Sequence, residues 1–249
     1  MRAGFAFALL IASTFVAAGQ RPVVTIFLAG DSTCAEKLPE KRPETGWGEM
    51  LGKYFKDGSV RIENRAMNGR STKTFIAEGR WQKILDDMRP GDWVFVQFGH
   101  NDESKEKGER YTPPDAFRGN LARFVTDVRE RKGNIVLLTP VMRRKFDKDG
   151  KFVDQHPKEY PEAFRSVAAE YKVPLIDMHR KSEALLVRLG PEASRQLFLQ
   201  LKPGENPNYP NGIEDNTHFD PAGAEQMASL VADGIRESRI ALRRLLKKR

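Results

Sequence analysis

Four short blocks of the sequence contain the kinds of side chain that transfer of an acyl group requires. They are Gly30-Asp31-Ser32-Thr33, Asn64 to Ser71, Gly99-His100-Asn101-Asp102 and Asp215-Asn216-Thr217-His218. Acyl transfer needs a nucleophilic hydroxyl, a base that takes its proton, a carboxylate that orients the base, and hydrogen-bond donors for the oxyanion. Together, the four blocks offer a candidate for each of these roles.

The candidate nucleophile is Ser32, the candidate base is His218, and Asp215 is the carboxylate that would orient the imidazole. Asp215 precedes His218 by three residues, so one turn of chain can place the carboxylate on Nδ1–H and leave Nε2 facing the serine. Gly69 has no side chain, and its N–H can approach a reacting carbonyl closely. The amide of Asn101 can donate to the same oxygen, and the Ser32 N–H is the third candidate donor for the oxyanion hole.

Each block also has a purely structural interpretation. Ser32 could cap a helix, Gly69 could serve only a turn, and Asn101 could belong to a polar turn that closes a strand. Asp215 and His218 could be an exposed loop pair. A short motif by itself is only a hypothesis. The blocks favour catalysis as a set, because they follow successive elements of the chain in order.

Apolar runs of strand length alternate with helical stretches between these blocks. The predicted strands are Val23–Leu28, Ser59–Asn64, Trp93–Phe98, Ile135–Thr139 and Val173–Ile176. The predicted helices lie near Gly48–Phe55, Thr74–Met88, Pro114–Arg131, Glu159–Tyr171 and Lys181–Gly190, with a last one from Pro221 toward Leu246. This alternation predicts a parallel sheet with helices on both faces. The first three blocks then meet at the carboxyl ends of the strands, where sites form in such sheets.

Composition sets broad limits on the protein's class and partners. The chain has 249 residues, enough for one domain with a large core, and a net charge of +8. A basic surface suits an acidic polymer such as a polyuronide. Nucleic acid is not expected as a partner, because no dense run of Lys and Arg is interleaved with aromatic residues. Cys34 is the only cysteine, which excludes an internal disulfide, and we interpret it as a small buried residue.

The first residues have the pattern of a signal peptide. Arg2 supplies the positive start, Phe5 to Val16 is almost wholly apolar, and small residues near Ala18 suit cleavage. The apolar run is too short for a membrane-spanning helix, and Gln20 stands where a lipid-anchored protein would have cysteine. We therefore expect residues 1–18 to be a signal peptide, and residues 21–249 to be a single exported domain without a stable membrane anchor.

The set of blocks resembles the SGNH hydrolases, also called the GDSL-like family, which are named for Ser, Gly, Asn and His residues in four blocks. Ser32, Gly69, Asn101 and His218 match these residues, and Asp215 matches the family's aspartate three residues before the histidine. The resemblance covers essentially the whole mature chain. It implies an α/β fold, a flavodoxin-like three-layer α/β/α sandwich with a five-stranded parallel sheet. It also implies serine ester hydrolysis, with no metal or cofactor.

A narrower resemblance, to the rhamnogalacturonan acetylesterase branch, rests on longer segments. These are Gly30 to Thr33, Asn64 to Ser71, Gln97 to Asp102, Thr139 to Arg144, Pro203 to Glu205 and Asp215 to Phe219. The resemblance implies an O-acetylated pectic sugar as the substrate. One departure is Asn68, which stands before Gly69 where many relatives have a second glycine. We expect the Gly69 donor to survive this change, because Asn also tolerates unusual backbone angles.

Four further residues are candidate substrate contacts. Arg70 and His100 lie within the second and third blocks, and Arg143 and Arg144 follow the fourth predicted strand. The last two arginines could clamp uronate carboxylates or simply be solvated. The loop from Leu201 to Gly212 is long enough to line a site.

Other functions are compatible with parts of the pattern. The ester could be acetylated xylan, another acetyl-glycan or a short-chain lipid ester. A metallophosphoesterase would need several His and Asp ligands, and the sequence has no early Asp-x-His motif; Asp177-x-His179 is at most a fragment of a metal site. A carbohydrate-binding protein on a degenerate hydrolase fold is the non-enzymatic alternative. The oligomeric state is not predicted.

Overall fold

A five-stranded parallel sheet forms the centre of the fold. The structure is a computed structural model that describes residues 23–248, so the predicted signal peptide lies outside the described residues. The strands are β1 Val24–Gly30, β2 Val60–Asn64, β3 Trp93–Gln97, β4 Asn134–Leu138 and β5 Leu175–Ile176. Each predicted strand is found, and no end is shifted by more than two residues. The strands pair in the order β2-β1-β3-β4-β5, and every pair is parallel.

This strand order places a topological switch point between β1 and β3. The chain leaves β1 for one edge of the sheet and later returns to β3 on the other side of β1. Connections on the two sides run over opposite faces, so a crevice opens at the carboxyl ends of these two strands. The first and third sequence blocks begin at these ends.

Seven helices are found in the described part of the chain, apart from short 3₁₀ turns. They are α1 Trp47–Met50, α2 Thr72–Ala77, α3 Arg80–Asp87, α4 Pro114–Glu130, α5 Glu159–Tyr171, α6 Met178–Ala193 and α7 Pro221–Glu237. Alternate strand residues face opposite sides of the sheet. On one side, Ile26 and Leu28 pack with α1, α6 and α7. On the other side, Phe27 and Ala29 pack with α2 to α5. The two helical layers confirm the predicted three-layer α/β/α sandwich.

Four predicted helices have different boundaries in the structure. The predicted Lys181–Gly190 extends over Met178–Ala193 as α6. The stretch Thr74–Met88 is interrupted at Gly79, whose φ of 71° is left-handed, so α2 and α3 are separate helices. The stretch Gly48–Phe55 is the short α1 followed by a 3₁₀ turn. The last helix begins at Pro221 as predicted, but it ends at Glu237.

A two-stranded antiparallel hairpin was not predicted. It consists of β6 Phe198–Leu201 and β7 Ile213–Phe219, with residues 202–212 as the connecting loop. The fourth sequence block therefore lies on a strand. β7 is a polar segment with no apolar run, so its extended conformation depends on tertiary contacts rather than on a local pattern. Phe219 at its end contacts Phe198 on β6, and both rings are buried in the core on the α1, α6 and α7 side of the sheet, which anchors the hairpin.

The aromatic cluster under α3 and α4 should carry much of the stability. Phe124 is fully buried, and its ring centroid lies 4.2 Å from that of Trp81 and 6.1 Å from that of Phe98. We expect Phe124→Ala to lower the free energy of unfolding by about 3–5 kcal/mol, through lost burial and a residual cavity. Urea unfolding measures this change as a lower midpoint at unchanged slope. The control is Val187→Ala on the exposed face of α6, and equal midpoints for the two variants would contradict the core assignment.

Candidate active site

Ser32 lies immediately beyond the carboxyl end of β1. The turn that presents it needs Gly30, because a Cβ there would come within 2.8 Å of the Gln97 carbonyl oxygen on β3. The buried Asp31 carboxylate fixes the turn by accepting hydrogen bonds from the Thr33 N–H at 2.9 Å and the Thr33 hydroxyl at 2.8 Å. The Ser32 side chain is left partly exposed above the sheet.

Ser32, His218 and Asp215 form a continuous hydrogen-bonded line. The Ser32 Oγ lies 2.8 Å from His218 Nε2, and His218 Nδ1 lies 2.7 Å from Asp215 Oδ2. The Asp215 Oδ1 atom accepts hydrogen bonds from the N–H groups of Thr217 and His218, at 2.7 and 2.9 Å. The carboxylate is thus held by two backbone N–H groups of β7, on a strand rather than in the turn expected from the sequence.

These contacts determine the protonation state of Asp215 and the orientation of the His218 ring. Burial by itself raises the pKa of Asp215, but the hydrogen bonds and charge of His218 outweigh burial and lower the pKa below its usual value. The carboxylate is therefore ionised at neutral pH and accepts the proton on His218 Nδ1. With Nδ1 directed at the carboxylate, Nε2 is the ring nitrogen that faces the serine hydroxyl, as a base would.

The two remaining oxyanion candidates are Gly69 and Asn101. Gly69 has a φ of 74°, which a side chain would strain, and Asn101 donates one hydrogen bond through Nδ2 to the Arg70 carbonyl at 3.1 Å. The second amide hydrogen of Asn101 remains for a ligand. Gly69, Asn101, Ser32 and His218 line one pocket. The structure therefore brings all four family-matching residues together.

Asp102 connects the segments that carry these two donors, a role that the sequence analysis missed. Its Oδ1 atom accepts hydrogen bonds from the Thr72 N–H at 2.9 Å and the Thr72 hydroxyl at 2.6 Å. Asp102 is fully buried, and its Oδ2 atom has no hydrogen-bond partner among the described residues. The sequence offered a polar turn as one interpretation of Asn101 and Asp102, and only the fold shows that the second residue faces inward.

The pocket has a volume of about 340 Å³ and a polar lining. Its lining residues are Ser32, Lys41, Glu44, Asn68, Gly69, His100, Asn101, Lys107, Arg110, Arg143, Thr217 and His218. No apolar side chain is among them, and cations outnumber carboxylates. Lys41, Lys107 and Arg110 have no ion-pair partner within residues 23–248, whereas Arg143 is paired with Glu103 at 2.5 Å. The three unpaired cations had no distinguishing pattern in the sequence.

Two of the four predicted substrate contacts line the pocket, and two do not. His100 and Arg143 are in the lining. Arg70 instead binds Glu78 at 3.0 Å, outside the pocket. Arg144 donates to the Asn216 side chain at 2.9 Å and to the Ser194 hydroxyl at 3.1 Å, so its guanidinium supports β7 rather than facing a ligand.

His100 is a nearly buried residue of the pocket lining and lies beside Asp31. Burial and the charge of Arg143 lower the pKa of His100 to about 4, so its imidazole is neutral at neutral pH. Burial raises the pKa of Asp31, but His100 and the hydrogen bonds from Thr33 outweigh burial, and the pKa falls to about 2. The His100 Nδ1 atom lies 3.5 Å from Asp31 Oδ2. Asp31, which precedes Ser32, thus lies beside His100, which precedes Asn101.

The connecting loop of the hairpin holds one wall of the pocket in place. The Tyr209 hydroxyl donates to the Lys41 carbonyl at 2.9 Å. The Asn208 side chain donates to the carbonyls of Pro39 and Arg42, at 2.9 and 2.8 Å. The loop therefore supports the segment that presents Lys41 to the pocket, although no loop residue lines it.

Two other features concern metals and membranes. Among the described residues, no group of three or more His, Cys, Asp or Glu side chains is arranged to hold a metal ion. Asp177 pairs with Arg165, and His179 faces Asp154 at 2.9 Å. Over residues 23–248, no helix is both long and apolar enough to cross a membrane.

Asp102 should give the stability a distinctive pH dependence. Burial raises its pKa to about 7, despite opposing hydrogen bonds from Thr72. The folded protein keeps this proton where the unfolded chain has lost it, so the Asp102 contribution to stability falls as pH rises from about 4 to about 7.

We expect the difference in unfolding free energy between wild type and Asp102→Asn to decline across this window. The slope should approach about 1.4 kcal/mol per pH unit, the limit for one proton. Urea unfolding at a series of pH values measures both proteins, and taking the difference cancels the other titrating groups. Parallel curves for the two proteins would contradict a protonated Asp102.

Known proteins share both sequence and fold with this chain. The model of the GDSL-like lipase/acylhydrolase family matches residues 28–226. Rhamnogalacturonan acetylesterase RhgT of Bacillus subtilis is 42% identical over 220 residues, which cover 88% of this chain and 93% of that protein. The probable rhamnogalacturonan acetylesterase YesY of the same organism is 41% identical over 213 residues, covering 85% and 92%.

Solved structures agree with this relationship. The crystal structure of Bacillus subtilis YxiM has a TM-score of 0.74 at 26% identity, covering 88% of this chain and 58% of that one. An acetylxylan esterase from Geobacillus stearothermophilus, at 18% identity and a TM-score of 0.62, covers 91% and 97% and shows the common fold alone. The chain belongs to the GDSL-like lipase/acylhydrolase family, which confirms the predicted family and its enzyme class, the carboxylic ester hydrolases.

Proposed function

We propose that this protein removes O-acetyl groups from rhamnogalacturonan through a serine acyl-enzyme mechanism. The observation that carries the proposal is the hydrogen-bonded line of Ser32, His218 and Asp215, which opens into a polar, cation-rich pocket. The similarity to rhamnogalacturonan acetylesterases over most of the chain supports the choice of substrate.

In the first half of the reaction, the Ser32 Oγ attacks the acetyl carbonyl carbon while His218 Nε2 takes the hydroxyl proton. Asp215 remains ionised and stabilises the imidazolium that forms. Negative charge develops on the carbonyl oxygen, and it is stabilised by the N–H groups of Ser32 and Gly69 and by the Asn101 amide. The imidazolium then protonates the sugar oxygen as the C–O bond breaks. The deacetylated sugar leaves an acetyl-serine.

In the second half, water replaces the sugar. His218 Nε2 takes a proton from the water as its oxygen attacks the acetyl-serine carbonyl, and the same donors hold the oxyanion. Collapse of the tetrahedral intermediate returns the proton to the Ser32 Oγ and releases acetate. The two halves give ping-pong kinetics.

The composition of the pocket distinguishes among possible esters. A long acyl chain would need an apolar lining, and all twelve lining residues are polar, charged or glycine. This argues against a lipid ester. The unpaired cations Lys41, Lys107 and Arg110 suit a polymer that carries carboxylates, because such charges steer and bind acidic ligands. Acetylated xylan has a neutral backbone, so it offers no backbone carboxylates for these cations to bind.

We further propose that the protein is exported, with residues 1–18 as the signal peptide. The positive Arg2, the apolar run from Phe5 to Val16 and the small residues near Ala18 support this assignment. Export would place the enzyme where polymeric pectin is found.

Acetate release from acetylated rhamnogalacturonan and acetylated xylan, measured side by side, tests the proposal. We expect release mainly from the pectic polymer. Ser32→Ala should reduce release to background, since loss of the nucleophile in such a triad costs about 10⁶ in kcat. Ser166→Ala on α5 is the matched control and should retain wild-type activity.

The other outcomes are equally informative. Preference for xylan would contradict the assigned polymer. Full activity in Ser32→Ala would contradict the mechanism. A folded wild type that binds acetylated glycan without releasing acetate would instead support a binding protein.

The role of the pocket cations has its own test. We expect Lys107→Ala/Arg110→Ala to lose about 10-fold or more in kcat/KM on an acetylated acidic oligosaccharide, as expected for lost hydrogen bonds to a charged group. The loss should be much smaller on neutral p-nitrophenyl acetate and should shrink at high salt. Lys105→Ala, in the same turn but outside the pocket lining, is the control. Equal losses on acidic and neutral substrates would contradict the assignment.

A further inference from the structure

We propose that Lys37 is a positioning residue for the acetyl transfer described above. Its ammonium joins the Ser32 segment to the Asn68–Gly69 segment, and so sets the spacing between two N–H donors of the oxyanion hole. The inference rests on the proposed function. Lys37 does not line the pocket, and it matches none of the four sequence blocks.

Lys37 is buried in an unusual way for a lysine. Its side chain is 1% exposed, whereas lysines are almost never fully buried unless they are paired. The ammonium has three hydrogens to donate. It donates to the Ser32 carbonyl oxygen at 2.5 Å, to Asn68 Oδ1 at 2.8 Å and to Glu44 Oε1 at 2.8 Å. Every donor of the ammonium therefore has an acceptor.

The three acceptors belong to three separate segments of the chain. The first is the backbone carbonyl of the nucleophile, whose own N–H is one oxyanion donor. The second is the side chain of Asn68, which directly precedes the Gly69 N–H, another donor. The third is Glu44, which lines the pocket together with Asn68. Fixing Ser32 and Asn68 on one ammonium restricts how far the two N–H groups can move apart.

A second contact joins the same segments, but farther from the donors. The Met67 N–H donates to the Gly30 carbonyl at 3.0 Å, which continues the pairing with β1 beyond the end of β2. This hydrogen bond holds the two segments together, but it involves neither Ser32 nor Gly69. Lys37 adds a link through Ser32 and Asn68 themselves, where small displacements matter most to the reaction.

Lys37 and Glu44 carry opposite charges and form an ion pair, so a substitution of Lys37 also affects Glu44. Removing the ammonium alone would leave the largely buried Glu44 carboxylate without its partner, and that alone can destabilise a protein. A variant that also neutralises Glu44 separates the loss of positioning from the cost of the orphaned charge. Three variants are therefore needed: Lys37→Met, Lys37→Met/Glu44→Gln, and the control Lys53→Met, whose lysine is exposed and outside the pocket lining.

Two probes report on the oxyanion hole. p-Nitrophenyl acetate gives kcat and KM for a small acetyl ester, and methylboronic acid forms a tetrahedral adduct on a reactive serine, which mimics the transition state. Interactions realised only in the tetrahedral state affect kcat and boronate affinity together, while leaving ground-state binding alone. Circular dichroism and thermal unfolding establish that each variant is folded.

We expect both Lys37 variants to lose roughly 10- to 100-fold in kcat, the scale on which misplaced catalytic groups act, with KM nearly unchanged. Affinity for methylboronic acid should fall by a similar factor. The double variant should regain thermal stability relative to Lys37→Met without regaining kcat. Lys53→Met should match wild type in every assay.

The inference is overturned if the folded double variant keeps kcat and boronate affinity within the scatter of the control. Lys37 would then be a buried ion pair that contributes only stability. It is also overturned if KM rises with kcat unchanged. A wild type that does not hydrolyse acetyl esters would remove the proposed function itself. Active Lys37 variants beside an inactive Ser32→Ala would remove only this inference.

Discussion

The hydrogen bond between Ser32 Oγ and His218 Nε2 joins residues that are 186 positions apart, and the architecture of the site depends on it. Ser32 is placed by the first strand of the sheet, and His218 by the last hairpin, so the contact requires nearly the whole domain to be assembled. The hairpin is docked from several sides. The Thr45 N–H donates to the Phe219 carbonyl at 2.9 Å, and Arg144 holds Asn216 through side chain and backbone. Asp220 then caps α7, which packs against the sheet.

Glu103 and His156 form a polar network with Arg143, which lines the pocket. This network determines how much of the positive charge of Arg143 is balanced. Glu103 accepts hydrogen bonds from Arg143 and from His156 Nδ1, at 2.5 and 2.8 Å, while His156 Nε2 faces the Val141 carbonyl at 2.9 Å. Both ring nitrogens of His156 therefore face oxygen atoms, which fixes the ring beside Glu103. Burial raises the pKa of Glu103, but His156 and Arg143 outweigh burial and lower it to about 2. Arg143 is largely neutralised by this network, so Lys41, Lys107 and Arg110 supply the pocket's net positive charge.

Much of the fold and part of the site could be read from the sequence. The strands β1, β3 and β4 are short apolar runs that are buried on both faces, so composition and length suffice to find them. Ser32 and Asn101 follow such strands directly, which is why their convergence was predictable. The β6–β7 hairpin was missed because β7 is polar, and its extended form depends on neighbours distant in sequence. The break at Gly79 was missed because one glycine does not by itself end a helix.

The remaining site residues could not be found for a different reason. Lys37 contacts Asn68 across 31 residues, and Asp102 contacts Thr72 across 30. Each resembles an ordinary polar surface residue until the strands are placed in order. Arg70 and Arg144 were predicted to contact the ligand because they lie near the blocks in sequence. In the structure, the guanidinium groups bind Glu78 and Asn216 instead. Residues next to a motif are thus less predictable than the motif itself, since adjacency in sequence does not determine which way a side chain points.

The central claim is that Ser32 carries the acetyl group between the sugar and water. Rapid acid quenching of the protein during turnover of p-nitrophenyl acetate, followed by peptide mapping by mass spectrometry, tests it directly. We expect one acetyl group on the peptide that contains Ser32. This acetyl group should appear before steady state and disappear when the substrate is exhausted. Acetate release with no acetylated peptide at steady state, or with the acetyl group on another side chain, would contradict this claim.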